Sequence, residues 1–217
     1  ISIRLVGSEM CIRDRISASH NLFEDNGIKF FNKNGQKFSE ELEKRIEVKL
    51  TEEMVPVDSI NLGKATRMSD AQERYIEFCK LPFADLDLSD LNILLDCANG
   101  ATYSVAPKVF TELGANIETV AANPDGININ QNCGSTNPDF LKDQMSKGNY
   151  DMGIAFDGDG DRILIISSEG NILDGDDILF ILSQKLLPNS GVVGTLMTNK
   201  ALELHFQKNN IDFHRAD

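Results

Sequence analysis

Residues 91–122, LNILLDCANGATYSVAPKVFTELGANIETVAA, decide the predicted fold. The short apolar run at residues 91–96 is typical of a buried strand, and a glycine-containing turn follows it. The next residues predict a helix that ends at Gly114, and residues 116–122 predict a second strand. A strand, a helix and a strand in this order indicate an α/β unit with a mainly parallel sheet.

The same alternation continues along the chain. Residues 140–149 predict a helix, and residues 152–157 and 162–167 predict two further strands. Near residues 171–177 the pattern starts again with a helix, a strand and a helix, which indicates a second α/β unit present only at its beginning. Upstream, Ser39 predicts the N-cap of an amphipathic helix.

These patterns divide the chain into three units and a tail. Residues 1–15 begin without Met, show no continuing periodicity and resemble a translated sequencing-adapter read-through, so we expect a non-native tail. Residues 16–72 are expected to be the end of a first α/β domain, and residues 73–171 a second. Residues 172–217 are expected to be the truncated start of a third domain. The chain is thus predicted to be an internal piece of a longer protein.

The composition excludes several classes of protein. The chain has 217 residues, of which 41% are hydrophobic and 25% charged, as in ordinary globular proteins. It contains no apolar run of the length that crosses a membrane. The net charge of −13 argues against a nucleic-acid or anionic-membrane surface. Four unevenly spaced cysteines without a CxxC pair predict reduced thiols in a cytoplasmic protein.

The sharpest local feature is DGDGDR at residues 157–162. Carboxylates at Asp157, Asp159 and Asp161, separated by flexible glycines, can converge on a hard cation such as Mg²⁺ or Ca²⁺. The alternative is a solvated acidic turn. An EF-hand is excluded, because its sixth and twelfth positions would be Arg162 and Ser168. Open coordination positions favour Mg²⁺ shared with a phosphate oxygen. Arg162 would then bind that phosphate or form an ion pair with one of the aspartates.

A second feature, SASHN at residues 17–21 followed by Lys29, is weak by itself. The chain has no G-x-S-x-G elbow, so a serine hydrolase is a poor fit. It also lacks a phosphate-binding glycine loop of the G-x-x-x-x-G-K-[ST] or strand-linked G-x-G-x-x-G type.

Taken together, ISASHN, DNGIKFF and AFDGDGDR resemble the α-D-phosphohexomutase superfamily, and the resemblance runs from about Ile16 to Asp217. The stretches DCANGATY, NPDGININ and CGST resemble its glucosamine branch. One departure is Leu22, where the family usually has Pro, which fixes φ and stiffens the loop. The fold that this implies consists of successive α/β units with mixed or parallel sheets, as a fragment of a four-domain enzyme.

The resemblance implies a phosphoserine enzyme that depends on Mg²⁺. Ser19 would carry the phosphoryl group that is given to the sugar phosphate and regained from glucosamine 1,6-bisphosphate, the intermediate and activator. Asp157, Asp159 and Asp161, with an oxygen of the Ser19 phosphate, would hold the metal ion.

Lys29 and Arg162 match family positions near the transferred phosphate, and His20 follows the serine in the family motif. Lys29 would act as a general acid/base or clamp the phosphate, and Arg162 would bind phosphate. His20 would tune the serine or position its loop. For Lys29 and His20, a purely structural role is the open alternative.

The implied activity is the interconversion of glucosamine 6-phosphate and glucosamine 1-phosphate, for cell-wall precursor synthesis in the cytoplasm. The implied partner is a hexosamine phosphate, with no nucleic acid and no membrane, and a homo-oligomer of the full-length protein is left open. The alternatives are a mutase for mannose or glucose phosphates, and a non-catalytic module that binds metal and sugar phosphate. The fragment alone is expected to be inactive, since the sugar and phosphate loops of the family lie in later domains.

Overall fold

A computed structural model describes residues 13–32, 34–53, 55–56, 58–61, 68–185 and 191–216. In this part of the chain, nine strands form three separate sheets and are accompanied by six α-helices. In chain order the elements are β1 (Arg13–Ser17), β2 (Gly27–Phe31), α1 (Glu40–Leu50), α2 (Ala71–Lys80), β3 (Asn92–Asp96), α3 (Ala106–Glu112), β4 (Asn116–Val120), α4 (Pro138–Met145), β5 (Met152–Phe156), β6 (Ile163–Ser167), β7 (Ile172–Leu173), α5 (Gly175–Lys185), β8 (Val192–Gly194), α6 (Lys200–Lys208) and β9 (Phe213–Arg215).

The central sheet has five strands in the order β4-β3-β5-β6-β7. β3 pairs in parallel with β4 and β5, whereas β5, β6 and β7 pair antiparallel. This mixed sheet confirms the α/β class. The sheet is less parallel than the helix–strand alternation predicts, because only residues 157–162 connect β5 to β6. A connection of six residues allows a hairpin, while a parallel crossover needs about a dozen.

Alternate residues of β3 build the two layers of the core. Ile93 and Leu95 pack on one face of the sheet and Leu94 on the other. The first layer also contains Cys97, Ala106, Ala115 and Ile154, and the second contains Leu141, Ala155 and Ile166. Because both faces of β3 are covered, its sequence is an apolar run rather than an alternation of apolar and polar residues.

The parallel pairing of β3 with β5 sets the position of the functional loops. Two neighbouring parallel strands end at the same edge of the sheet, where ligands usually bind in α/β folds. The loop after β3 and the loop after β5 meet at that edge, where the Ala101 N–H donates to the Gly158 carbonyl at 2.8 Å. A Cβ at Gly100 would lie 2.3 Å from the same carbonyl oxygen, so the two backbones are in close contact.

Two smaller sheets lie outside the central one. β1 and β2 form an antiparallel pair, and β8 and β9 a parallel pair. α1 runs from Glu40 to Leu50, and the Ser39 hydroxyl accepts the Leu42 N–H at 3.4 Å, which confirms the predicted capped helix. α1 contains no buried residue, so its apolar positions are at most half-buried.

The structure differs from the sequence prediction mainly in short strands. β7 and β9, of two and three residues, were not predicted, since such lengths show no measurable periodicity. β7 pairs with β6, so the central sheet continues past the boundary predicted at residue 171. β1 begins at Arg13, within the predicted tail. The rest of that tail, residues 1–12, lies outside the described residues, and the division into three units and a tail stays a prediction.

The described helices are short. The longest, α1 and α5, have 11 residues each. None of the helices in the described residues is both long and apolar enough to cross a membrane.

The three described cysteines predict a test of the packing. Cys97 and Cys133 are buried, and burial raises the pKa of their thiols to about 11 and about 12, whereas Cys79 is half-buried. A thiol with a pKa near 11 is ionised in about one molecule per thousand at pH 8. We expect iodoacetamide at pH 8 to alkylate Cys79 and to spare Cys97 and Cys133, as measured by peptide mass spectrometry. In guanidinium chloride all three should react, and rapid labelling of Cys97 in the folded protein would contradict the structure.

Candidate active site

The hairpin loop between β5 and β6 brings three carboxylates together. Asp157, Asp159 and Asp161 each offer one oxygen, and these oxygens all lie within 4.8 Å of one another. Asp157 is buried, Asp159 is half-buried and Asp161 is exposed. The loop therefore forms an acidic cluster that extends from the protein interior to the solvent.

Asp157 is held by the backbone of its own loop. Its Oδ1 accepts the N–H of Gly160 at 3.0 Å and that of Arg162 at 3.1 Å. Its Oδ2 is buried and has no hydrogen-bond partner among the described residues. Burial raises the pKa of the Asp157 carboxyl. The hydrogen bond from Arg162 opposes this shift, and the neighbouring charges of Asp159 and Asp161 reinforce it.

Asp159 faces the β1–β2 hairpin. Its Oδ2 contacts the Arg15 guanidinium, accepts the Ser17 hydroxyl at 3.2 Å and lies 3.5 Å from the Lys29 Nζ. Its Oδ1 is buried without a partner among the residues described. Burial raises the pKa of this carboxyl, but the charge of Arg15, the Ser17 hydroxyl and the charge of Lys29 outweigh burial, so the net pKa is lowered.

The carboxylate oxygens of the acidic cluster are suitable ligands for a hard divalent cation. An unpartnered buried carboxylate oxygen is costly, and here both Asp157 and Asp159 have one. A cation that is bound by oxygen ligands would offset this cost and the mutual repulsion of the three charges. The alternative, a solvated acidic turn, would place these oxygens in water, whereas the structure buries two of them.

Ser19 lies in the turn that follows β1. Its φ is +53°, in the left-handed region that non-glycine residues rarely adopt. The Ser19 N–H donates to the Ser17 hydroxyl at 2.9 Å, and the Asn21 N–H donates to the Ala18 carbonyl at 2.9 Å. The Ser17 hydroxyl, which also donates to Asp159, therefore links the serine turn to the acidic cluster.

The serine turn packs directly on Gly158. A Cβ at Gly158 would lie 2.5 Å from the Ser19 carbonyl oxygen and 2.7 Å from the Ile129 side chain, so only glycine fits there. Gly158 stands between Asp157 and Asp159. This contact places the Ser19 turn beside the acidic cluster, across 139 positions of sequence (158 − 19).

Of the other predicted site residues, Lys29 and His20 lie close to Asp159 and Ser19, whereas the Arg162 side chain does not bond to the described aspartates. Lys29 lies opposite Arg15 in the β1–β2 pairing, and both reach the Oδ2 of Asp159. The His20 Nδ1 lies 3.4 Å from the Ser19 Oγ. Arg162 is exposed, and its backbone, not its side chain, bonds to Asp157. Among the described residues its side chain forms no ion pair with the aspartates, and its phosphate-binding role stays a prediction.

Two family models match the chain. One is described as phosphoglucomutase/phosphomannomutase, alpha/beta/alpha domain I, and matches residues 15–55. The other is described as alpha/beta/alpha domain II of the same enzymes and matches residues 73–170. Together they cover more than half of the chain. The chain belongs to the phosphoglucomutase/phosphomannomutase family.

Two bacterial members of this family are similar to the chain over 93% of its length. It is 50% identical over 206 residues to the phosphoglucosamine mutase of Legionella pneumophila (strain Corby), which covers 93% of this chain and 45% of the relative. It is 51% identical over 206 residues to the phosphoglucosamine mutase of Marinomonas sp. (strain MWYL1), covering 93% of this chain and 46% of the relative. The chain thus spans less than half the length of these relatives.

Solved structures support the fold. A phosphoglucomutase/phosphomannomutase family protein from Burkholderia thailandensis aligns with a TM-score of 0.72 at 22% identity, over 94% of this chain and 44% of its own. Parafusin, a phosphoglucomutase from Paramecium, aligns with a TM-score of 0.65 at 20% identity, over the same two shares. At these identities the likeness concerns the phosphohexomutase fold alone.

Three residues at this site, Arg15, Asp96 and Asn130, are absent from the sequence-based prediction. Arg15 lies in the predicted non-native tail, yet its guanidinium contacts Asp159, and the domain I model begins at residue 15. Asp96 ends β3 and is buried, and its carboxylate accepts the N–H groups of Ala98 at 2.9 Å and Gly134 at 2.6 Å. Asn130 donates to the carbonyls of the serine turn. An acidic residue that ends an apolar strand was the available signal for Asp96.

The Arg15 contact predicts a measurable effect on metal binding. The guanidinium contacts the Oδ2 of Asp159, so its positive charge lies at a carboxylate of the cluster and repels a cation bound there. We expect Arg15→Val, which keeps a residue suited to a strand, to tighten Mn²⁺ binding about fivefold, as titrated by calorimetry or electron paramagnetic resonance. Arg74→Val, at an arginine paired with Asp70, is the matched control. Unchanged or weaker binding by Arg15→Val would show that Arg15 does not repel the bound cation.

The contact at Gly158 predicts a loss of stability. A methyl group there would force the Ser19 carbonyl away from the hairpin loop. We expect Gly158→Ala to lower the free energy of unfolding by about 1–3 kcal/mol in urea titrations, because overpacked sites must shift their backbone. Gly175→Ala is the control, since a Cβ at Gly175 meets no atom within 4 Å. Equal stability of the two variants would disprove the close contact.

Proposed function

We propose that this chain is the phosphoserine and metal-binding part of a phosphoglucosamine mutase, which interconverts glucosamine 6-phosphate and glucosamine 1-phosphate. The observation that carries the proposal is the packing of the Ser19 turn on Gly158, between two carboxylates of the acidic cluster. The 50% identity to bacterial phosphoglucosamine mutases over 93% of the chain supports the choice of substrate.

The reaction consists of two phosphoryl transfers that involve Ser19. First, the bond between phosphorus and the Ser19 Oγ breaks, and the phosphoryl group joins the free hydroxyl of the sugar monophosphate. That hydroxyl gives up its proton, the serine oxygen gains one, and glucosamine 1,6-bisphosphate results. The bisphosphate then reverses its orientation in the site. Its other phosphoryl group is transferred to Ser19, which leaves the isomeric monophosphate. Phosphate and protons balance over the cycle, and neither water nor a redox partner is consumed.

The residues around Ser19 have distinct tasks in this proposal. The His20 Nδ1, 3.4 Å from the Ser19 Oγ, is close enough to orient that oxygen or to exchange a proton with it. Lys29 adds positive charge beside Asp159 and is the candidate acid/base or phosphate clamp. Arg162, which is exposed at the end of the loop, is free to meet a phosphate oxygen.

Asp157, Asp159 and Asp161 would hold Mg²⁺ together with an oxygen of the Ser19 phosphate. When bound, the ion supplies positive charge that offsets the charge of the transferring phosphoryl group. Until then, the cations of the β1–β2 hairpin neutralise only Asp159 within the described cluster. Asp157, whose pKa is raised by burial, has most to gain from an added positive charge.

Two alternatives remain as outcomes of the test. A mutase for mannose or glucose phosphates would use the same serine and carboxylates, and the neighbours with such names share only 20–22% identity with this chain. A non-catalytic module would bind metal without forming a phosphoserine. The cytoplasmic location and the hexosamine phosphate partner belong to the proposal, and an oligomer of the full-length protein is left open.

The chemistry can be tested in a chimera. Residues 15–217, which keep Arg15, replace the matching segment of the Legionella pneumophila phosphoglucosamine mutase, with which 93% of the chain aligns. We expect the chimera to be active and to contain phosphorylated Ser19, detected by peptide mass spectrometry. Ser19→Ala should abolish both signals. Asparagine at Asp157, Asp159 or Asp161 should lower turnover by about 10²–10³-fold, as the loss of a preorganised charge commonly does.

Matched controls separate chemistry from folding. Ser146→Ala and Asp139→Asn replace exposed residues at the two ends of α4 and should leave turnover within twofold, roughly the noise of a surface substitution. A folded chimera that lacks phosphoserine would contradict the proposal and favour the non-catalytic module. Sugar preference is tested on the full-length protein, where a preference for mannose or glucose phosphate would overturn the glucosamine assignment.

A further inference from the structure

The loop at residues 123–134, NPDGININQNCG, supplies none of the predicted catalytic or metal-binding residues, yet it contacts the serine turn through Asn130. It follows β4 and is fastened to the carboxyl edge of the central sheet. The Asn130 N–H donates to the Ala98 carbonyl at 2.9 Å, and the Gly134 N–H donates to the Asp96 carboxylate at 2.6 Å. Because these two hydrogen bonds attach it to the buried core, this loop can hold the residues that contact it in fixed positions.

The Asn130 side chain points from this support into the serine turn. Its Nδ2 donates to the Ser19 carbonyl at 2.9 Å and to the Asn21 carbonyl at 2.7 Å, so both amide protons are used on one turn. The residue is 6% exposed. Rotating the amide would place its oxygen against two carbonyl oxygens, so these contacts fix its orientation.

The same amide nitrogen also lies close to the hairpin loop between β5 and β6. A Cβ at Gly158 would be 2.7 Å from the Asn130 Nδ2 and 2.5 Å from the Ser19 carbonyl oxygen. One buried amide thus contacts the backbone of the serine turn on one side and the backbone of the acidic hairpin on the other. Since Ser19 adopts the unfavourable φ of +53°, it needs such external contacts to keep that conformation.

We propose that Asn130 is a positioning residue: its amide holds Ser19 in the left-handed conformation and sets the distance between the serine hydroxyl and the carboxylates of Asp157 and Asp159. The importance of this distance for phosphoryl transfer rests on the proposed function. The positioning itself does not, because it follows from contacts within the described chain.

The test compares the same substitution at two asparagines of one loop. Asn130 and Asn132 both adopt left-handed conformations, with φ values of +55° and +56°, so glycine is accepted at either without strain. Asn130→Gly removes the amide, and Asn132→Gly, at an exposed residue, is the matched control. Asn130→Asp keeps the shape but replaces the donor by an oxygen that repels both carbonyls.

The first measurement is hydrogen exchange of the full 217-residue chain, read by nuclear magnetic resonance. We expect the N–H groups of Ser19 and Asn21 to exchange at least about tenfold faster in Asn130→Gly and Asn130→Asp, while those of β3 and β5 do not change. Asn132→Gly should match the parent. If Asn130→Asp does not fold, Asn130→Gly decides the outcome. Unchanged exchange at Ser19 and Asn21 in folded Asn130→Gly would overturn the inference.

The second measurement is steady-state kinetics in the chimera. A positioning role predicts a kcat that falls at least about tenfold in Asn130→Gly with KM nearly unchanged, since the substrate still binds but the serine is misplaced. A merely structural role would lower the fraction of active protein in proportion to the unfolded fraction, so a full kcat per folded molecule would contradict the inference. An inactive parent chimera would refute the proposed function, while the exchange experiment would still decide the role of Asn130.

Discussion

The closest backbone contacts of the site converge on Gly158. Its carbonyl accepts the Ala101 N–H from the loop after β3, and a Cβ on its Cα would meet the Ser19 carbonyl and the Asn130 amide. The serine turn and the loop that carries Asn130 can meet there because Gly158 has no side chain, and the loop after β3 can approach because Gly100 has none. The aspartates on either side of this glycine therefore take their positions from the same contact that positions the serine. The proposed metal binding and the proposed phosphoryl transfer thus share one geometric constraint.

Two neighbouring carboxylates of the hairpin loop have different electrical surroundings. Asp157 points into the protein, where burial raises its pKa, and its only described hydrogen bonds come from its own loop. Asp159 points toward the β1–β2 hairpin, whose charges hold its pKa down despite burial. In an extended strand these two side chains, which are two residues apart, would point to the same face. The turn of the hairpin loop between them therefore separates their surroundings. A cation placed among them would interact most strongly with Asp157, which forms no ion pair with a cationic side chain of the described residues.

The helices and strands with a regular pattern of apolar residues could be predicted from the sequence. The capped helix α1, the buried strand β3 and the alternating order of strands and helices all follow from residue patterns. The clustering of three carboxylates could be predicted too, because its members are close in sequence. Among the long-range contacts, the approach of Ser19 to the carboxylates was implied by the family resemblance and by no local pattern. No pattern in NPDGININ indicates that Asn130 reaches Ser19, and none in residues 1–15 indicates that Arg15 reaches Asp159. Short strands such as β7 and β9 depend on pairing rather than on their own residues.

Among the described residues, backbone strain is concentrated in loops at the edge of the central sheet and not in its strands. Seven described non-glycine residues have positive φ, and six of them lie in loops at or beside the site: Ser19, Ala98, Asn99, Ala121, Asn130 and Asn132. Each such conformation costs free energy, which the surrounding structure must offset. Asp96 does so for the loop after β3 by accepting the Ala98 N–H, and Asn130 does so for the serine turn. The unstrained central sheet, with both faces packed, holds these side chains in place. The strained edge can therefore keep a fixed shape only as long as its few buried polar side chains keep their hydrogen bonds.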